Sequence, residues 1–148
     1  MKKTPTLRER AVALLARREH TRAELARKLA SHAESPEELA ALLDELSRRK
    51  LVSDERFAVT RSESLAKKFG AARVVRELRD KGVAADAVER ISGELKSSEL
   101  ERAREVWRKR FGVAAQSAGE RAKQGRFLQA RGFSFDVIKR IINGLDTE

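Results

Sequence analysis

Cysteine and tyrosine are absent from this chain of 148 residues, and proline occurs only twice. Without cysteine there can be no disulfide, no thiolate metal site and no cysteine nucleophile. The scarcity of proline excludes collagen-like and proline-rich chains and leaves long stretches free to be helical. Aromatic residues make up only 5% of the chain, which argues against a single-strand binder built on stacking platforms. No uninterrupted apolar run approaches the roughly 20 residues needed to span a membrane. The opening MKKTPTLRER has two lysines with no apolar stretch behind them, unlike a secretory signal. A cytoplasmic protein with no membrane partner is the expectation.

Charge is abundant. Lysine plus arginine number 33 against 23 for aspartate plus glutamate, a formal net charge of +10. Arginine outnumbers lysine 22 to 11, and its planar fork suits bidentate contact with phosphate or carboxylate. The excess has no basic tail to reside in. Residues 1–56 carry 13 basic and 10 acidic groups, residues 57–95 carry 8 and 6, and residues 96–148 carry 12 and 7. The surplus therefore belongs to folded surface and favours an anionic partner, either nucleic acid or an acidic protein face.

The hydrophobic pattern is helical throughout, and no convincing strand alternation occurs. Leu7, Ala11, Leu14 and Leu15 share one helix face. Thr21 with Glu24 reads as a capping box. Ser35-Pro36-Glu37-Glu38 reads as a helix start, and Leu39, Leu42, Leu43 and Leu46 follow on one face. The pattern also repeats. LRDKGVAADAVERISGEL (78–95) matches LQARGFSFDVIKRIINGL (128–145) at an offset of 50, pairing Gly82 with Gly132, Val83 with Phe133 and Leu95 with Leu145. An offset of 49 pairs Leu29 with Leu78, Leu42 with Ile91 and Leu46 with Leu95. The expected fold is all-α: three tandem three-helix repeats, 1–53, 54–96 and 97–148, forming an elongated, curved array. Gly82 and Gly132 are expected at positive φ just past a helix end. Ala33 replaces this glycine in the first repeat. Small units of this kind are expected to bury their cores by stacking on neighbours. Residues 112–119 (GVAAQSAG) read as a loop.

Catalytic constellations are missing from this pattern. His20 and His32 lack metal-ligand spacing and read as solvated or helix-end residues. There is no glycine-rich phosphate loop and no nucleophile elbow. Asp54 and Glu55 are explained as first-turn charges opposing a helix dipole. Trp107, with Leu100, Ala103 and Phe111, forms a core stripe. No enzyme, cofactor or metal is expected. The pattern that does stand out is basic. The alignment makes Arg27, Arg76 and Arg126 equivalent, each two residues before a core leucine and so about 200° away from it. Arg73 and Lys123 are equivalent as well, three residues earlier. These five form a candidate contact ladder for a protein partner or for DNA phosphates.

Three strings carry a resemblance: LVSDERFA (51–58), FGAARVVRELRDKGV (69–83) and FLQARGFSFDVIKRI (127–141). Asp54, Phe57 and Ala58, then Gly70, Arg73, Leu78 and Gly82, then Arg131, Gly132 and Phe133 fall in the order and spacing of the RecX family. The chain resembles that family from about Leu7 to Leu145. The resemblance implies a tandem of three-helix repeats without catalytic residues. It also implies a regulator that lodges in the groove of the RecA recombinase filament on single-stranded DNA. Such a regulator lowers ATPase, strand-exchange and coprotease activity, with consequences for homologous recombination, DNA repair and the SOS response. A monomer is the expected state, since a repeat array buries its core in cis. Three other readings stand beside it: a helix-turn-helix-like DNA-binding regulator, a scaffold for an acidic protein, and, least supported, a nuclease or other enzyme. One asparagine and three glutamines in the chain offer little for base reading.

Overall fold

The computed structural model describes residues 4–144. Leu145, the repeat partner of Leu95, lies outside the described residues, as do the first three residues of the N-terminal segment. Eight α-helices form the described chain: α1 Leu7–Arg17, α2 Arg22–Leu29, α3 Pro36–Arg48, α4 Asp54–Ala66, α5 Ala71–Asp80, α6 Ala85–Arg110, α7 Ala118–Ala130 and α8 Phe135–Ile142. Most begin with the chemistry that ends a coil. Thr6, Thr21, Ser35, Ser53, Ser117 and Ser134 each accept a main-chain N–H from the first turn, which satisfies donors that have no helical partner. Thr6 and Thr21 complete capping boxes with Glu9 and Glu24.

These helices make three units: α1–α3, α4–α6, and the second half of α6 with α7 and α8. One helix serves two units. At 26 residues, α6 runs unbroken from Ala85 to Arg110, about 39 Å at 1.5 Å per residue. Residues 96–98, where a repeat boundary is expected, fall in its middle with no turn. Lys96, Ser97 and Ser98 have no proline or glycine to stop a helix, and both serine hydroxyls bond back to the Glu94 carbonyl. The weak segment at 112–119 is a loop only as far as Ser117; Ala118 and Gly119 already belong to α7.

Each unit has its own apolar cluster. The first holds Ala11, Leu25, Leu29, Leu43, Leu46 and Val52. The second is larger and centres on Phe57, Val74, Leu78, Val83, Val88 and Ile91. The third holds Ala103, Leu128, Phe133 and Ile138, with Trp107 packed on its flank and its indole N–H donating to Gln124 at 2.9 Å. The expectation that units share a core across their boundaries is thus corrected. Cores form within units, because what meets at the boundaries is helix ends, which carry main-chain polar groups.

Those boundaries are built twice on one plan. At the first joint, the Thr21 hydroxyl donates to the Lys81 carbonyl at 2.6 Å, and Asp54 accepts the Arg22 N–H at 2.9 Å. At the second, the Gly70 N–H donates to the Arg131 carbonyl at 2.8 Å, and Glu99 accepts the Ala71 N–H at 2.9 Å. In both, the start of one unit's middle helix abuts the glycine turn that ends the next unit's middle helix. Thus α7, α5 and α2 meet end to end. The turns come close because they are glycine. A Cβ on Gly82 would stand 2.4 Å from the Ala23 Cβ, and one on Gly70 would stand 2.3 Å from the Gly132 carbonyl oxygen. Gly82 and Gly132 also have φ of 79° and 90°, where an L side chain is strained. In the first unit, a 3₁₀ turn at Ala30–His32 takes the place of the glycine turn.

Two glycines therefore predict opposite outcomes. Gly82→Ala meets both positive φ and a main-chain-proximal clash, and should cost roughly 2 kcal/mol or more. Gly93 lies inside α6 with open space around its Cβ position, so Gly93→Ala should stabilise by roughly 0.5–1 kcal/mol. Thermal melts of the two variants check both signs.

Candidate partner-binding surface

The five ladder residues, Arg27, Arg73, Arg76, Lys123 and Arg126, are all exposed on the middle helices α2, α5 and α7. This is the outcome of their spacing from Leu29, Leu78 and Leu128, which are almost wholly buried. Arg27, Arg76, Lys123 and Arg126 make no ion pair among the described residues. Arg126 borders a shallow groove between α7 and α8 that Gly125, Phe133, Phe135 and Ile138 also line. Phe135 is 76% exposed there.

Arg73 is differently placed. Its guanidinium lies 4.1 Å from the Phe69 ring centre and donates to the Ala130 carbonyl at 3.2 Å. Its Cβ stands 2.5 Å from where Gly132 would carry one. It is thus part of the second joint as well as of the surface, and Arg131 shares the Phe69 ring with it at 5.5 Å.

The other motif residues occupy joints and cores. Phe57, Ala58, Leu78 and Phe133 are buried in the clusters. Gly70, Gly82 and Gly132 make the close approaches described above. Asp54 does more than oppose a helix dipole. One carboxylate oxygen accepts the Arg22 N–H and the other accepts the Ala84 N–H, both at 2.9 Å. A single side chain thereby ties together the starts of α2, α4 and α6.

His20 is a helix-end residue, as one of its two expected readings has it, and corrects the other. It is buried, not solvated, at 1% exposure. It lies just before the α2 cap, with Nδ1 3.0 Å from the Arg18 carbonyl and Nε2 3.1 Å from the Lys28 ammonium. With Nδ1–H donating, Nε2 is left as the acceptor for Lys28, which requires a neutral ring. Beside it, burial would raise the Glu24 carboxyl. Arg18 and the Thr21 N–H outweigh that and hold it below its ordinary range. His32 is exposed at the end of the 3₁₀ turn.

Sequence reasoning missed two polar anchors, one buried and one half-buried. Glu99 is buried at 5% exposure and carries the second joint. Arg102, one turn further along α6, donates to the carbonyls of Ala66 and Phe69 at 3.0 and 2.7 Å and to that of Leu95 at 2.9 Å. Burial lowers its pKa, with Glu99 opposing the shift. Nothing local distinguishes Arg102 from the other arginines of a basic chain. Its spacing of three from Glu99 was the only available signal. Among the described residues, no group of three or more histidines and carboxylates is placed to hold a metal ion. No described helix is long and apolar enough to cross a membrane.

Three tandem tri-helical units, joined through their middle helices and presenting basic side chains outward, define a class of helical-repeat protein. The chain matches family models for all three RecX three-helix domains, the first at residues 8–46, the second at 53–91 and the third at 97–142. It is 47% identical over 143 residues to "Regulatory protein RecX" of Leptothrix cholodnii, covering 97% of this chain and 91% of that one. It is 46% identical over 140 residues to the protein of the same name from Chromobacterium violaceum, covering 94% and 90%. The crystal structure of RecX from Lactobacillus salivarius superposes with a TM-score of 0.81 at 20% identity, over 96% of each chain. The chain belongs to the RecX family of regulatory proteins.

The buried histidine sets a pH dependence. Burial chiefly, together with the nearby Arg18 and Lys28 charges, lowers the His20 pKa, while the Arg18 carbonyl and Glu24 act against this. The unfolded chain then takes up the proton at higher pH than the folded one. Stability is full above about pH 6.5, the ordinary histidine value, and declines as pH falls through it toward the depressed folded pKa. The melting temperature should drop between about pH 7.5 and 5.5, and His20→Asn should flatten that drop. A pH-independent melting temperature in the unsubstituted chain contradicts the assignment.

Proposed function

We propose that this chain is a non-catalytic regulator that binds the RecA recombinase filament on single-stranded DNA and lowers its ATPase, strand-exchange and coprotease activities. It does so as a monomer in the cytoplasm. Membership of a family whose relatives are named regulatory proteins supports the regulatory role. The observation that carries the mode of binding is the set of exposed basic residues on consecutive middle helices. Arg27, Arg76, Lys123 and Arg126 have no carboxylate partner among the described residues, so their charge is available to an acidic filament surface or to phosphate. A linear series of units suits a helical groove because contacts are distributed along it, with no single pocket required.

The test is the single-stranded-DNA-dependent ATPase of the cognate recombinase, titrated with this protein. Activity should fall at fewer copies than recombinase protomers, as expected when filament growth is blocked. Arg76→Ala with Arg126→Ala should raise the half-inhibitory concentration by about tenfold or more, with unchanged helical circular dichroism. Full ATPase activity in the presence of the folded protein contradicts the reading. Unchanged inhibition by the double variant contradicts the assigned contact surface.

A further inference from the structure

The three units are not joined alike. The second and third share α6, so one unbroken helix fixes each against the other. The first unit shares no helix with the second. Its covalent link is residues 49–53, where Lys50 has a φ of 60°, a left-handed conformation that a side chain disfavours. Its apolar cluster is separate from that of the second unit. None of its helices lies along a helix of the second. With neither a core nor a helix in common, the angle between these two units is set by polar contacts at helix ends.

Those contacts differ in kind. Arg56 pairs with Glu19 across the joint, but both side chains are partly solvated, and such a pair holds an angle weakly. Thr21 donates to the Lys81 carbonyl at 2.6 Å. Asp54 engages the main chain on both sides. One of its oxygens accepts the Arg22 N–H and the other the Ala84 N–H, both at 2.9 Å. Arg22 opens α2, which carries Arg27. Ala84 follows the glycine turn that ends α5, which carries Arg76. It also precedes α6, which has no capping side chain of its own. One carboxylate therefore holds α2 against the body that contains α5 and α6. An amide cannot reproduce this, because its oxygen accepts one N–H while its NH₂ meets the other donor to donor.

We infer that Asp54 is a positioning residue for the regulator. It latches the first unit at one angle to a rigid body formed by the other two, and so holds Arg27 in line with Arg76 and Arg126. Without the latch the first unit swings about residues 49–53, and its partner contacts are no longer oriented before binding. The effect on inhibition rests on the filament reading. The angle does not, and can be measured without any recombinase.

The experiment is a spin-label distance measurement on the full chain, which has no cysteine of its own to interfere. Nitroxides on Ala41→Cys and Glu89→Cys, two exposed helix positions, report across the first joint. Nitroxides on Glu63→Cys and Gln129→Cys, also exposed, report across the second. With Asp54 intact, both distance distributions should be narrow. Asp54→Asn should broaden the first about twofold or more, as a freed hinge does, and leave the second unchanged. Arg22→Pro cuts the latch from the other side by removing the N–H. It should fold, because proline suits the first position of a helix and Thr21 before it is already extended. It should broaden the same distance. Glu55→Gln removes a like charge from the same first turn and should change neither. In recombinase ATPase titrations, the two latch variants should inhibit several-fold more weakly with unchanged helical circular dichroism. A cross-joint distance that is already broad with Asp54 intact, or that neither latch variant broadens, overturns the proposal. Broadening only with loss of helical signal overturns it too, and gives Asp54 a folding role. Broadened distances with full inhibition overturn the positioning role. If the chain with Asp54 intact does not inhibit, the filament reading fails, and the distances still decide whether Asp54 sets the angle.

Discussion

The fold depends on how helix ends are satisfied where one unit meets the next. The first N–H groups of a helix and the last carbonyls have no partner within it. At the start of α2 and of α5 these donors and acceptors are met by the neighbouring unit: a carboxylate from its first helix, and the carbonyl before its glycine turn. The units are therefore coupled through directional hydrogen bonds, with three separate apolar clusters on either side. Such a joint tolerates little sliding, because a shift that breaks one bond leaves main-chain groups unpaired in a partly buried place. It also explains why glycine recurs there. The carbonyl can be reached only if no Cβ stands between the two chains.

The two joints reach one geometry with different residues. Thr21 uses its hydroxyl to donate across the joint while accepting the Glu24 N–H within its own capping box. Gly70 has no side chain and donates with its main-chain N–H, which requires a still closer approach. Asp54 and Glu99 differ by a methylene and start from different places, one at the first residue of a helix and the other in the middle of α6. An unbroken α6 is the reason. Because the third unit has no separate first helix, its carboxylate must extend from the side of a helix already in place.

The same features divide what could be read in the sequence from what could not. Helical periodicity, the caps at Thr21 and Ser35, the offsets of 49 and 50 and the glycine turns are local signals, and each marks a physical requirement of nearby chain. The fusion of two helices into α6 was hidden because Lys96-Ser97-Ser98 resembles a boundary in composition while containing nothing that ends a helix. His20, Glu99 and Arg102 were hidden for another reason. Their partners lie on other elements or depend on burial, and polar residues in a highly charged chain look alike until the fold separates them. Asp54 was half legible: its place in a first turn is local, but its second oxygen serves Ala84, thirty residues on.

Charge follows the same logic. In the first two units carboxylates and arginines are neighbours, and much of the basic character is cancelled. Such exposed pairs add little stability individually, so their main consequence is to leave that surface electrically mixed. At the second joint the arginines rest on Phe69 and Phe127, which stabilise a cation without neutralising it. A ring in place of a carboxylate thus performs the structural task of holding a guanidinium in position while leaving the positive field intact. At this joint Arg73, Arg131 and Arg110 make no ion pair among the described residues, and neither do Arg27, Arg76, Lys123 and Arg126 on the middle helices.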